Sequence, residues 1–186
     1  VRCGTISGLG ADSMLFAKLL KFQPRFERNL PMPPMIERRR SHIHGNGVFA
    51  ISTIPAGTVL CVYAGKRIRH EEADQRYGDA LDSGHTFLFT LNDEYIVDAN
   101  RGGNIARWIN HSCAPNCEAQ ILQHDGKDRR RDRIEICALR DIETGEELTY
   151  DYGIRLDVPH TARLKRLWAC HCGAPSCTGT LLKPKR

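Results

Sequence analysis

Alternation of apolar and polar positions predicts short strands over most of this chain. Strands are predicted at 58–63, 117–123 and 134–139, and a hairpin is predicted from 87–89 and 95–97 around Asn92-Asp93. A polar helix is predicted at 70–81, and the segment 141–152 closes the domain through a turn at 143–145. The pattern therefore predicts a mainly β domain with short helices.

The stretch 98–117 differs from the rest because a short helical turn leads directly into a polar run. Asn104 is a suitable N-cap, and Ile105, Trp108 and Ile109 then fall on one buried face. The run Asn-His-Ser-Cys at 110–113 follows at once. Donors, acceptors and a thiol held on a rigid support are typical of a functional site.

Four motifs in a fixed order resemble those of SET-domain protein lysine methyltransferases. They are Gly-Asn-Gly-Val-Phe at 45–49, Gly-Asn-Ile-Ala-Arg-Trp-Ile-Asn-His-Ser-Cys at 103–113, Gly-Glu-Glu-Leu-Thr-Tyr-Asp-Tyr at 145–152, and the cysteine-rich segment 170–179. The resemblance covers about residues 36–182 and is strongest to the trithorax-like branch, in which a cysteine-rich post-SET segment follows. It implies the SET fold, with small curved β-sheets of the β-clip type and a zinc-bound post-SET tail.

The same resemblance sets the expected domain boundaries. They are an N-terminal extension at 1–35, the SET domain at 36–153, a polar linker at 154–167, the post-SET zinc segment at 168–182 and a basic tail at 183–186. The extension is interpreted as a loosely attached tail, with an amphipathic targeting or docking helix at 14–22 as the alternative. Its single cysteine, Cys3, excludes the cysteine-rich pre-SET cluster of some relatives.

Composition adds little to this interpretation. The 186 residues carry a formal net charge of +5, with 41% hydrophobic and 26% charged residues, as in an ordinary globular protein. No stretch approaches the ~20 apolar residues of a membrane span, and the clustered cysteines indicate metal binding in a reducing compartment, so we expect an intracellular monomer. The basic run 125–133 is interpreted as a solvated hairpin tip; without interleaved aromatic residues it does not support direct nucleic-acid binding.

Three cysteines of the tail, Cys170, Cys172 and Cys177, are spaced as zinc ligands, but a structural zinc needs a fourth. His171 is a poor candidate because adjacent residues of an extended segment point in opposite directions. In the SET family the fourth thiolate comes from the Asn-His-Ser-Cys motif, here Cys113. One zinc ion would then hold the tail against the central stretch.

The resemblance also implies S-adenosylmethionine as cofactor. By this resemblance, the residues expected to contact the cofactor are His44, Gly45, Asn46, Gly47, Phe87, Asn110, His111 and His171. Relatives often have arginine where this chain has Asn46, so no salt link from that position to the cofactor is expected. Core packing is an equally good explanation for Phe87.

Three tyrosines take the catalytic positions in the resemblance. Tyr152 matches the catalytic tyrosine, Tyr63 lines the lysine pocket, and Tyr150 occupies a position that is tyrosine or phenylalanine in relatives. A hydroxyl at Tyr150 can hold a water in the space that a bulkier methylated amine needs. Mono- or dimethylation of lysine is therefore the expected outcome.

Other functions stay open on sequence alone. A degenerate SET module could bind a peptide or nucleic acid without catalysis, although such a module would not need all four motifs. A nucleic-acid methyltransferase is disfavoured because the glycine-rich Rossmann pattern is missing. The substrate expected from the family is a histone tail, and a non-histone protein is the alternative. The expected location is the nucleus, on chromatin, if the protein is eukaryotic or host-directed, and otherwise the cytoplasm.

Overall fold

A computed structural model describes residues 35–78, 87–156 and 158–184. The predicted helix at 14–22, Cys3 and the last positions of the helix predicted at 70–81 lie outside these ranges. Within them, ten strands form three small sheets, and the helices are short, as the sequence predicts.

The first sheet brings the glycine turn, the central stretch and the closing motif together. Its strands are ordered β1-β2-β10-β7, with β1 at Ile36–Arg40, β2 at Asn46–Ala50, β7 at Asn110–His111 and β10 at Glu147–Tyr150. β10 and β7 run parallel, with Thr149 opposite Asn110 and Tyr150 opposite His111. This pairing places two motifs that are about forty residues apart in sequence side by side.

The second sheet confirms the strands predicted from alternation. Its order is β3-β9-β8, with β3 at Val59–Val62, β8 at Cys117–Leu122 and β9 at Arg133–Ala138. β8 and β9 pair antiparallel from Cys117 opposite Ala138 to Leu122 opposite Arg133. The wholly buried side chains of Ile134 and Ile136 on β9 form part of the hydrophobic core.

The third sheet contains the predicted hairpin. Its order is β4-β6-β5, with β4 at Lys66–Arg69, β5 at Leu88–Thr90 and β6 at Tyr95–Asp98. The Asn92 side chain closes the turn by accepting hydrogen bonds from the backbone N–H groups of Glu94 and Tyr95. α1, at His70–Tyr77, directly follows β4, and its Tyr77 hydroxyl donates to buried Asp98.

The helical turn predicted in the central stretch is a 3₁₀ turn at Ile105–Trp108. The Asn104 side chain caps it by accepting from the Ala106 N–H, and its amide also donates to the carbonyl of Val62 at 2.8 Å. Ile109 is already extended, so the chain passes directly into β7. The cap therefore sets where the polar run begins and ties it to the end of β3.

The basic tip at 125–133 is exposed along most of its length, as predicted, but the prediction is wrong for Asp132. That side chain is wholly buried. Asp132 accepts hydrogen bonds from the His124 backbone N–H and from the Asn92 amide, each at 2.8 Å, and pairs with Arg129. Burying a carboxylate requires such partners, and they attach the tip to the third sheet.

The C-terminal segment contains α2, at Ala162–Leu167, inside the stretch that the sequence suggested as a linker. Thr161 caps this helix by accepting from the Leu164 N–H. Isolated bridges join Ile154 to Leu182 and Ala169 to Thr180. Among the residues that the structure describes, no helix has the length and apolar character needed to cross a membrane.

Candidate active site and metal centre

Asn110 is the centre of a hydrogen-bond network under the glycine turn. Its amide nitrogen lies 3.1 Å from Ser41 Oγ, 3.2 Å from the His44 carbonyl, 3.0 Å from the Asn46 carbonyl and 2.8 Å from Glu147 Oε1. Because the nitrogen is the donor end of the amide, these four acceptors fix its orientation. The Oδ1 atom of Asn110 is then left to accept from a ligand.

Glu147 is a site residue that the sequence reasoning missed, although it lies inside the quoted closing motif. Besides Asn110, its carboxylate accepts from the Ser41 hydroxyl at 2.7 and 2.9 Å. A Cβ atom on Gly47 would lie 2.2 Å from Glu147 Oε1, so a side chain at this position would displace the Glu147 carboxylate from its hydrogen bonds. The spacing of Gly47 and Glu147 does not reveal this contact; the pairing of β2 with β10 creates it.

His111 connects the end of β10 to a cysteine. The Tyr152 backbone N–H donates to His111 Nδ1 at 3.1 Å, so Nδ1 is an acceptor and the ring proton is on Nε2. His111 Nε2 lies 3.6 Å from Cys113 Sγ. Burial lowers the pKa of His111, partly offset by Asp151, and Lys183 lowers it further. The His111 side chain is therefore a neutral imidazole that lies between the Tyr152 backbone and the Cys113 thiol.

The three candidate catalytic tyrosines share one aromatic cluster. The ring centroids of Tyr150 and Tyr152 are 5.0 Å apart, and Phe89 lies 6.1 Å from Tyr150 and 5.3 Å from Tyr63. The Tyr152 hydroxyl donates to the Ile109 carbonyl at 2.9 Å. Burial raises the pKa of all three tyrosines well above their ordinary range, so the hydroxyls remain protonated.

Two cavities meet at Tyr152. The first, of about 220 Å³, is lined by residues that include His44, Asn110, His111, His171 and Tyr152. The second, of about 460 Å³, is lined by residues that include Tyr63, Phe87, Tyr150 and Tyr152. Tyr152 is the one lining residue common to these two cavities, so its side chain lies between them.

Four of the residues expected to contact the cofactor are not among those that line the first cavity. Phe87 lines the second cavity instead of the first, and it packs edge-on against Trp108 with centroids 5.3 Å apart. Gly45, Asn46 and Gly47 form the turn beneath Asn110 and do not line the first cavity with His44. The first cavity instead includes residues of the C-terminal segment, such as Arg166 and Leu167, that the sequence analysis did not single out.

The four predicted metal ligands come together. The Sγ atoms of Cys113, Cys170, Cys172 and Cys177 all lie within 4.8 Å of one another, and those of Cys113 and Cys170 are 3.9 Å apart. A tetrahedral zinc with Zn–S bonds of ~2.3 Å needs sulfurs ~3.8 Å apart, so the arrangement fits zinc. His171 is outside this group and lines the first cavity.

The pKa values of the cysteines shift in opposite directions, both within the cluster and between the cluster and the sheets. Burial raises the pKa of Cys172, but hydrogen bonds to its sulfur outweigh burial and lower the pKa to about 6; one comes from the Cys113 N–H at 3.5 Å. Burial raises the pKa of Cys61 and Cys117 to about 12. Burial also raises the pKa of Cys170, which belongs to the cluster, so the close approach of four sulfur atoms, and not the pKa of the thiols, is what favours a metal site here.

Known proteins are similar to this chain over most of its length. The family model described as SET domain matches residues 45–153. Similar proteins include the "Histone-lysine N-methyltransferase, H3 lysine-4 specific" of Candida albicans, 42% identical over 144 residues that make up 76% of this chain and 13% of the relative. The protein of the same name from Chaetomium globosum is 38% identical over 175 residues, 93% of this chain and 15% of the relative. The chain thus spans about an eighth to a seventh of the length of these curated relatives.

Proposed function

The chain belongs to the SET-domain family, and we propose that it is a protein-lysine N-methyltransferase that uses S-adenosylmethionine. The position of Tyr152 between two cavities is the observation that carries this proposal. In this proposal, the first cavity holds the cofactor and the second cavity receives the acceptor lysine. The amine and the methyl group would meet beside the Tyr152 hydroxyl.

The residues of the first cavity suit a ligand with both polar and apolar parts. Asn110 offers a carbonyl oxygen as acceptor, since its amide nitrogen is fixed by the glycine turn. His44, His111 and His171 line the same wall, and Leu167 and Leu181 supply apolar surface. When bound, S-adenosylmethionine supplies an electrophilic methyl group that is displaced from sulfur by a lysine nitrogen.

Direct displacement needs alignment more than acid or base strength. The Tyr152 hydroxyl donates to the Ile109 carbonyl, which fixes the oxygen and leaves its lone pairs to orient the amine. Because burial raises the pKa of Tyr152, this hydroxyl is not an effective base near neutral pH. Its proposed role is therefore to position the amine.

The acceptor lysine must lose a proton, since its ordinary pKa is about 10.4. The buried rings of Tyr63 and Tyr150 and the half-buried ring of Phe89 line the second cavity and give it an apolar wall. Burial of a lysine amine there, close to a bound sulfonium, lowers its pKa and favours the neutral nucleophile.

We also propose that Tyr150 restricts the product to mono- or dimethyl-lysine. Its side chain is 6% exposed, stacks on Phe89 and lies beside Tyr152, where extra methyl groups would need space. Tyr150→Phe should increase the fraction of trimethylated product in mass spectrometry. An unchanged product distribution would exclude this role.

The substrate is proposed from the printed names of the relatives, which specify lysine 4 of histone H3. A histone H3 tail is therefore the first substrate to test, with a nuclear location on chromatin if it is methylated. A structural zinc held by Cys113, Cys170, Cys172 and Cys177 is proposed on the fit of the four sulfurs.

Incubation with S-adenosylmethionine labelled in its methyl group, a histone mixture and a cell extract tests the proposed function. We expect label on lysine in at least one protein, and a large loss of label with Tyr152→Phe. Absence of label from zinc-replete protein across the whole panel would instead favour a SET module that binds without catalysis.

A further inference from the structure

The Glu147 carboxylate lies directly behind the wall of the first cavity. Its Oε1 atom accepts from the Asn110 amide at 2.8 Å, and Asn110 lines the cavity whereas Glu147 does not. The same carboxylate accepts from the Ser41 hydroxyl at 2.7 and 2.9 Å. One amide group therefore separates a carboxylate from the space in which the cofactor is proposed to bind.

The hydrogen bonds to Glu147 come from neutral groups, unlike the contacts of two nearby acids. Glu146, the preceding residue, forms an ion pair with Arg140, and Asp151 forms one with Lys183. Glu147 instead receives hydrogen bonds from a hydroxyl and an amide, which orient the carboxylate without neutralising it. Its negative charge is thus held against the back of Asn110.

Asn110 can transmit this charge to a ligand because the orientation of its amide is fixed. The amide nitrogen also contacts the His44 carbonyl at 3.2 Å and the Asn46 carbonyl at 3.0 Å, so Oδ1 is the atom left for a ligand. A carboxylate that accepts from the nitrogen end polarises the amide and makes Oδ1 more negative. Such an oxygen favours a cationic ligand over a neutral one.

The charge of Glu147 also acts where the two cavities meet. Burial is the main cause of the raised pKa of Tyr152, and charge interactions with Tyr63 and Glu147 raise it further. The amine and the methyl group are proposed to meet beside the Tyr152 hydroxyl. The field of Glu147 therefore reaches the place where charge would change during the reaction, in a partly buried site that salt screens little.

Methyl transfer changes the charge of the cofactor. The carbon–sulfur bond to the methyl group breaks, and a carbon–nitrogen bond to the lysine forms. Sulfur keeps the electron pair of the broken bond, so the sulfonium becomes a neutral thioether and the positive charge passes to the lysine nitrogen. A fixed negative charge near the sulfur therefore attracts the cofactor more strongly than its product.

We propose that Glu147 is a specificity-determining residue that acts through Asn110 and favours the cationic cofactor over its neutral thioether product. This rests on the proposed methyltransferase function and deepens it at the same site. Arg166, a lining residue on the C-terminal side, suits the carboxylate that both ligands carry, so it does not distinguish between them. Loss of the attraction after methyl transfer would favour release of the product.

Calorimetric titration of the zinc-loaded full chain with S-adenosylmethionine and with its thioether product, S-adenosylhomocysteine, tests the proposal. Glu147→Gln keeps the shape of the side chain and an acceptor oxygen but removes the charge. We expect this variant to reduce the preference for the cation, measured as the ratio of the two Kd values, by at least about fivefold.

Glu143→Gln is the matched control, because it makes the same change in net charge at an exposed position of the same closing segment. Its Kd ratio should stay within about twofold of that of the unmodified chain. Ser41→Ala removes a hydrogen bond to Glu147 and leaves the charge, so it should weaken both ligands and also keep the ratio within about twofold. A ratio that changes as much in Ser41→Ala as in Glu147→Gln would overturn the proposal.

If circular dichroism shows that Glu147→Gln does not fold, the unmodified chain decides the question. A ligand with a protonated amine in place of the sulfonium should then bind at least about fivefold more tightly than the thioether, and equal binding overturns the proposal. An unchanged ratio in folded Glu147→Gln overturns it while methyl transfer stands. Binding of neither ligand to the unmodified chain overturns the proposed function and this proposal with it.

Discussion

The core of the three sheets and the C-terminal segment are stabilised in different ways, although both contribute to the first cavity. Strand pairing holds each of the three sheets together, and they share a core of wholly buried side chains such as Val48, Ile134, Ile136 and Leu148. From residue 154 onward the described chain has two isolated bridges and one short helix, and its buried side chains are Trp168, Cys170 and Leu182.

With the proposed zinc, this difference indicates which part of the first cavity would depend on metal. Asn110, His111 and Tyr152 come from the sheet side of the first cavity, whereas Ala169, Cys170 and His171 come from the C-terminal side. A segment with so little apolar burial gains little folding free energy from packing, and binding of the proposed zinc would supply the rest. Cys113 belongs to the sheet side and is the ligand that joins the two regions.

Loss of a metal ligand should produce the largest effect, and it should affect the two regions unequally. We expect Cys172→Ser to lose bound zinc and to reduce methyl transfer by at least about 100-fold, while the sheets keep their fold. Zinc is measured by elemental analysis, and the fold by circular dichroism. Cys61→Ser is the control, because Cys61 is on β3 outside the cluster. Full activity of a zinc-free Cys172→Ser protein would show that methyl transfer does not depend on metal in the C-terminal segment.

A large core deletion should produce the converse effect. Ile136 is wholly buried in the central strand of the second sheet, and Ile136→Ala should lower the free energy of unfolding by about 2–5 kcal/mol. Zinc content per folded molecule should not change. Urea denaturation followed by elemental analysis of the folded fraction measures both. Loss of zinc from folded Ile136→Ala protein would show that zinc binding depends on packing in the core of the sheets.

A smaller and pH-dependent effect is expected at Asp132, which attaches the basic tip. Hydrogen bonds from the His124 N–H and from Asn92 lower its pKa despite burial. The stabilisation is therefore fully present above the ordinary carboxyl pKa of about 3.9 and is lost as pH falls through the lower pKa of the folded state. Asp132→Asn should lower Tm near neutral pH, and the difference should shrink below about pH 4.

Asp128→Asn is the matched control for Asp132, because Asp128 is exposed and pairs with exposed Arg130. It should leave Tm nearly unchanged, as most surface ion pairs contribute little. Equal thermal shifts for the two variants would mean that burial of Asp132 does not stabilise the tip.

The sequence predicted the strands at 117–123 and 134–139, the hairpin and the cap at Asn104 well, because each is encoded by local alternation or by one side chain. The meeting of the four cysteines was also predicted, but only through the resemblance to the SET family. Local pattern could not reveal burial of Asp132 or the contact between Gly47 and Glu147, since both depend on pairing between distant strands. Nor could it place Phe87 on the second cavity.

The central claim is that the metal-held segment completes a cofactor site begun by β7 and β10. Calorimetric titration of S-adenosylmethionine into zinc-loaded protein and into the same protein after chelation tests it directly. We predict that chelation weakens the affinity by at least about tenfold and that added zinc restores it. An equal Kd with and without zinc would contradict the claim.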